Sequence, residues 1–304
     1  MGALALLVLS LTAAPAWAQP VAAGAAGAPP WRFTFEPWVI GPMLVAAGLY
    51  AVGVNRLWRH AGEGRGITRS QVACFCGGWL SLAIALVSPL DALGSRLFSA
   101  HMVQHEILML VGAPLMVLAR PLAAWTWAFP AAGRQGIGHA VRARGWSAVW
   151  RWITDPLAAW ALHALALWLW HVPAWFEAAL ESESVHALQH ASFLGTALLF
   201  WWAVIGHDAR SRRGSGAAMA YLFTTMLHTS ALGALLTLAP TPWYPHYAAA
   251  SALFGLDPVE DQQLGGLVMW VPGAAAYVVA ALVIVARLLT PARRAGPAPL
   301  RSDA

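Results

Sequence analysis

The sequence predicts an all-α protein: a polytopic membrane bundle of about seven transmembrane helices. The mature N-terminus is expected outside and the C-terminus in the cytoplasm. Three observations lead there. The chain is 59% hydrophobic and 10% charged, where soluble domains carry roughly 25% charged residues. Apolar runs of about 20 residues, the length that spans a bilayer as a helix, recur along it. Arginines gather in every second link between those runs, and basic residues mark the cytoplasmic side.

The elements follow in order. Residues 1–18 have an apolar core from Ala3 to Ala13 and an Ala16-Trp17-Ala18 cleavage pattern, which reads as a secretory signal; the alternative is a retained extra helix. Residues 19–35 are rich in Ala, Gly and Pro and read as a flexible linker. The membrane domain occupies residues 36–290. Its apolar runs lie near 37–58, 70–89, 98–119, 155–173, 185–206, 217–239 and 265–289. Residues 291–304 form a cytoplasmic tail. Pro114 and Pro272 interrupt the third and seventh runs, freeing the carbonyls of Leu110 and Val268. Such breaks either open a polar cavity or are simply tolerated. Trp58, Trp125, Trp127, Trp150, Trp152 and Trp175 sit near segment ends, where Trp anchors at the interface.

Charge placement fixes sidedness and removes one function class. The sequence pI is about 9.9, which invites a nucleic-acid reading. Yet all but Arg32 and Arg96 of the 18 basic residues lie in or beside the first, third and fifth links and the tail. The other links are acidic: Asp91; then Glu177, Glu181 and Glu183; then Asp257, Glu260 and Asp261. The high pI is therefore a topology signal, and no nucleic-acid partner is expected. The chain has no lysine, which excludes a retinal Schiff base. Cys74 and Cys76, two apart on a helix, point about 200° apart. They read as packing residues and not as a chelate.

The unusual feature is a repeated pentapeptide. His101-Met102-Val103-Gln104-His105 opens the third run, and His186-Ala187-Leu188-Gln189-His190 opens the fifth. Both runs enter from the outside, so all four histidines lie within roughly 10 Å of the outer surface at about 1.5 Å per residue. Residues i and i+4 share a helix face, so each pair can grip one ion and two facing pairs can supply four imidazoles. Intramembrane ionisable residues are functional candidates by default. His171 ends the fourth run on the same side, and His246 lies in the last outer loop. His163 and His228 lie deeper, where a single histidine reads first as a polar bond between helices. Gln104 and Gln189 read as polar partners and not as ligands.

Imidazole suits zinc and copper, and thioether sulfur selects Cu(I). Met102, Met109, Met226 and Met269 lie near the histidines, although each also reads as core filler. Zinc proteolysis is disfavoured, because H-E-x-x-H needs glutamate where Met102 and Ala187 stand. Bis-histidine haem is the competitor; it takes one histidine from each helix, with Gly112 and Gly195 admitting the porphyrin. Asp261 is a further metal or polar partner.

The segment "SPLDALGSRLFSAHMVQHEILMLVGAPLMVLARPL", with the later "WHVPAWFEAAL", "HALQH", "YPHY" and "DQQLGGLVMWVPG", resembles the CtaG family of cytochrome c oxidase caa(3)-type assembly factors. The likeness runs from about residue 40 to residue 289. It implies a multi-pass protein of the bacterial plasma (inner) membrane that helps form the CuA centre on the outer part of oxidase subunit II. Copper binding itself is read from the residues and not from the likeness.

The expectation is thus a non-enzymatic assembly factor that holds Cu(I) at His101, His105, His186, His190 and His171. His163, His228, His246, Met102, Met226 and Asp261 are possible additional partners. The oxidase subunits are the expected partners. The alternatives are a haem-binding electron carrier or quinol reductase, and a metal-free scaffold.

Overall fold

The computed structural model describes residues 31–206 and 215–289. The expected signal at 1–18, linker residues 19–30, His207 and the expected tail at 291–304 lie outside the described residues. No strand occurs among those described. The helices are α1 (Pro37–Ala61), α2 (Arg69–Val87), α3 (Pro89–Gly94), α4 (Phe98–Glu106), α5 (Ala113–Ala119), α6 (Pro121–Trp127), α7 (Ala131–Arg142), α8 (Arg144–Ile153), α9 (Pro156–Trp170), α10 (Pro173–Glu181), α11 (Glu183–Ile205), α12 (Ser215–Leu238), α13 (Ala248–Ser251) and α14 (Pro258–Leu289). Among the described residues, six stretches are long and apolar enough to cross a membrane, and the bent pair α9–α10 makes up to seven. The chain is a multi-pass membrane protein, as composition predicts.

Sequence chemistry accounts for the ends of these helices. Thr68 and Gln71 form a reciprocal capping box at the start of α2, satisfying two of its orphan donors. Asp155 accepts from the Leu157 and Ala158 amides at the start of α9. Leu44, Val52, Leu80, Ile84, Leu227, Val279 and Leu282 stay exposed around the bundle, as a surface bathed in lipid requires.

The span 98–119 is the most enclosed, and Pro114 reshapes it. Between α4 and α5, Ile107–Gly112 form a π-helical segment, because proline supplies no N–H to the preceding turn. The Met109 carbonyl within it accepts the Trp201 indole N–H at 2.8 Å. The neighbouring helix α11 thus satisfies one carbonyl of the break. Pro272 is different, since α14 runs through it.

Three boundaries differ from the sequence reading. The fourth crossing, α9, has only 15 residues, about 22 Å at 1.5 Å per residue. It then bends by 77° into α10, because Pro173 starts a new helix. α9 still runs antiparallel beside α11, with His163 against Thr196 and Trp170 against Ser192. α14 begins at Pro258 and not near 265, because its polar first turns are held inside the bundle: Gln262 accepts from the Trp243 amide at 2.5 Å. The third link, read as a loop, is built of α6, α7 and α8. α7 and α8 have no buried residues, and α8 sets Trp146, Val149 and Trp150 among arginines, the pattern of an interfacial helix. At the other end Thr34, inside the expected linker, donates its amide to the Val87 carbonyl at 3.0 Å.

Candidate metal centre

The first turns of α4 and α11 lie side by side at the end opposite the arginine-rich links. They bring both pentapeptides together. Ring centroids are 4.3 Å apart for His101–His105, 4.1 Å for His186–His190, 5.3 Å for His101–His186 and 5.1 Å for His105–His190. His101, His186 and His190 form the tightest group: one donor nitrogen from each lies within 4.8 Å of the other two. His105 sits against His190 and Phe193, with both ring nitrogens buried and unpartnered.

Buried polar atoms almost always find partners, yet here they do not. The Nε2 atoms of His101, His186 and His190 are buried with no hydrogen bond, and so is that of His171. A cluster of orphaned imidazole nitrogens costs free energy unless something fills it. A cation bound through nitrogen lone pairs removes that cost. The donor set therefore fits a metal ion.

The surroundings prepare those lone pairs. His101 Nδ1 lies 3.2 Å from the Gly94 carbonyl and 3.1 Å from the Tyr247 hydroxyl. A carbonyl only accepts, so Nδ1 carries the proton and Nε2 is left free to ligate. Tyr247 itself donates to Gly94 at 3.1 Å. Burial pushes its phenol well above the ordinary value, helped by Asp261, Tyr244 and Glu177, so it remains a donor. Such outer partners typically change metal affinity by 10–100-fold. Tyr247→Phe, which keeps the ring, is expected to weaken metal binding by about that factor, measured by competition against a chelator, with melting temperature little changed.

Asp261 holds the start of α4. Its carboxylate accepts from the Phe98 amide at 2.7 Å, the Ser99 amide at 3.1 Å and the Ser99 hydroxyl at 2.5 Å. It is thus an N-cap delivered from α14 to α4, where a helix N-terminus favours negative charge. Of its two expected roles, it fills that of polar partner. Asp261→Ala leaves buried donors unpaired and is expected to cost about 1–3 kcal/mol, read as a lower melting temperature in detergent.

Gln104 is also a polar partner. Its Nε2 donates to the Ala85 carbonyl at 2.8 Å and to Asp91 Oδ1 at 2.7 Å. Gln189 is fully buried and acts on the His101 ring, although neither of its amide atoms makes a well-formed hydrogen bond. The Asp91 carboxylate, Glu36, His186 and His190 line one cleft at the head of α1 and α11. Burial, then the charges of Asp91 and Glu183, push the Glu36 carboxyl up to about 7.

The remaining residues separate from the triplet. His171 donates Nδ1–H to the Leu167 carbonyl at 2.6 Å and meets the cluster through Phe176 and Phe193, which also touch His101 and His105. His163 bonds Thr196 across helices at 3.2 Å, the interhelical role. His228 faces the Trp160 ring at 5.5 Å. His246 lies in the outer loop, its amide 3.3 Å from Glu177. Met102 is fully buried in an apolar cluster with Phe98, Phe176, Leu180 and Leu236, joined by Met269. Met226 and Met109 belong to the cluster around Phe200 and Tyr221. A Cβ at Gly112 would stand 2.8 Å from Leu82, whereas one at Gly195 would meet nothing within 4 Å, so α2 covers the first glycine and the second is open.

Sequence reading missed Glu36 and the exact service of Tyr247 and Asp261. The "YPHY" and "DQQLGG" segments carried the signal for the last two, without saying what they touch.

Among known proteins, an uncharacterized protein of Mycobacterium bovis is 27% identical over 248 residues, covering 79% of this chain and 36% of its own. An uncharacterized protein of Mycobacterium tuberculosis gives the same values. One from Mycobacterium leprae is 27% identical over 286 residues, covering 90% of this chain and 41% of its own. The chain therefore spans well under half the length of these relatives. No solved structure matches it. Residues 48–290 match the cytochrome c oxidase caa3 assembly factors (Caa3_CtaG), and the chain belongs to that family.

Proposed function

We propose that this chain is a non-enzymatic assembly factor of cytochrome c oxidase in the bacterial plasma membrane. It holds one copper ion, as Cu(I), at the outer ends of α4 and α11 and passes it to the CuA site of subunit II. The observation that carries the reading is the triplet of buried, unpartnered imidazole nitrogens of His101, His186 and His190 within 4.8 Å of one another. His105 is the reserve ligand beside it, and His171 lies one aromatic layer away. Family membership supplies the oxidase, and the arginine distribution supplies the sidedness.

The site suits a monovalent ion. Its ligands are neutral, and Phe176 and Phe193 wall it, so a doubly charged ion would cost more to desolvate. Imidazole accepts copper and also zinc, so metal analysis must discriminate. Ligands that belong to two separate helices can be surrendered one at a time, which suits transfer to a competing site.

The haem reading has less support. Leu82 covers Gly112, while Gly195 stays open, and haem leaves the second histidine of each i, i+4 pair without a role. The metal-free scaffold draws on His163, which bonds Thr196 across helices. The test is metal analysis and a visible spectrum of the protein purified mildly. Copper near one equivalent without a haem band is expected. Protein free of metal even after incubation with Cu(I) would sink the reading, and a strong haem band would replace it.

A further inference from the structure

The cleft that reaches His186 and His190 has a composition that copper holding alone does not explain. Its walls include Val39, Leu86 and Leu108, and its charged members are Glu36 and Asp91. Both are acidic, and no arginine lines it. Glu36 stands at the head of α1, Asp91 in the first turn of α3, and the histidines on α11, so three separate elements converge on one opening. Asp91 is tied inward: it accepts from Gln104 at 2.7 Å, and Gln104 lies on α4 between His101 and His105. The same cleft is lined by His186 and His190, whose Nε2 atoms are buried and unpartnered. His101, its ring centroid 5.3 Å from that of His186, is fully buried with its own Nε2 unpartnered.

A hydrated cation meets a barrier at such a site, because apolar walls offer nothing in exchange for its water. Carboxylates in the cleft wall change that. Charges of one sign in a cleft with low-dielectric walls focus the field, raise the local concentration of the opposite ion and speed association by about 10–1,000-fold. Oxygen ligands hold a soft ion weakly, so an ion caught there moves on to nitrogen. We infer that Glu36 and Asp91 form a cation-capture vestibule, a transient carboxylate site through which copper enters and leaves the histidine triplet. This rests on the copper reading above and adds the route to it.

The two claims separate by rate and equilibrium. The full-length protein is loaded in detergent at pH 8, where the Glu36 carboxyl is mostly ionised, with Cu(I) supplied as its cationic acetonitrile complex, and uptake is followed by rapid mixing. Glu36→Gln with Asp91→Asn is expected to slow uptake at least about tenfold at low salt. It should also flatten the fall of rate with ionic strength seen in the parent, while final copper per protein stays the same. Asparagine at 91 retains an oxygen acceptor for Gln104, and Glu36→Gln alone, remote from that bond, should still slow uptake. Glu181→Gln, an exposed outer carboxylate outside the cleft, should leave the rate unchanged. Unchanged uptake in the double variant, or equal slowing by Glu181→Gln, overturns the vestibule and leaves the triplet standing. A parent protein that takes up no copper at all removes both.

Discussion

Replacing His190 with alanine is expected to abolish copper retention while leaving the protein folded. His190 belongs to the triplet and also touches His105 at 5.1 Å between ring centroids, so its loss removes one ligand and unseats the reserve. The affinity should fall at least about 100-fold, beyond the 10–100-fold typical of an outer partner. Stability should respond little. A buried polar side chain is usually dangerous to remove because its partner is left unpaired, but His190 Nε2 has no protein partner. His101→Ala and His186→Ala should behave alike, and His101→Ala with His190→Ala should cost little more than the worse single change, since ligands of one site act as a unit. His105→Ala should cost less than any of the three, and His163→Ala should leave copper unchanged. Copper retained by the double variant at the parent's affinity would place the site elsewhere.

The contrast between His190 and His105 marks where sequence reading stops. An i, i+4 repeat on two parallel helices at one depth was legible, because periodicity alone sets the face and the distance from the surface. Which three of four rings converge was not, because that depends on how far each helix is rotated about its own axis. Rotation is set by contacts such as Phe98 against Gly265, where an added Cβ would strike the ring. Local sequence contains no trace of it.

The same division holds for the supporting residues. Asp261 and Phe98 are 163 positions apart, and Tyr247 and His101 are 146 apart, so no window of sequence joins them. The seven apolar runs and the alternation of arginines were legible, since hydropathy is additive along a segment. The ends of α9 and α14 were not. Pro173 cuts one short, and a polar turn hidden inside the bundle prolongs the other. His163 was legible as a link between helices because one deep histidine has few other roles, and Thr196 supplies the bond.

In cells, pairing His101→Ala with His186→Ala should produce an oxidase that keeps its haems and lacks CuA. The reasoning is spatial. The triplet lies at the end of the bundle away from the arginine-rich links, which the positive-inside rule puts outside. CuA is the oxidase centre on that side, whereas the haems enter the membrane-embedded subunit by other routes. The expected result is normal haem absorption in isolated membranes, strongly reduced copper in subunit II and a matching loss of oxidase activity, with the variant present at parental abundance. Excess copper in the medium should restore part of the activity, since mass action fills a site that a carrier normally loads. Zinc at the same concentration should not, because it would occupy the recipient without restoring its electron transfer. Loss of the haems together with CuA would mean an earlier and more general scaffold role, in which the histidines matter for shape and not for metal. Intact centres with lost activity would instead return the histidines to electron transfer. Selective loss of CuA is the one outcome that follows from an ion held at this depth, on this face, by ligands able to let it go.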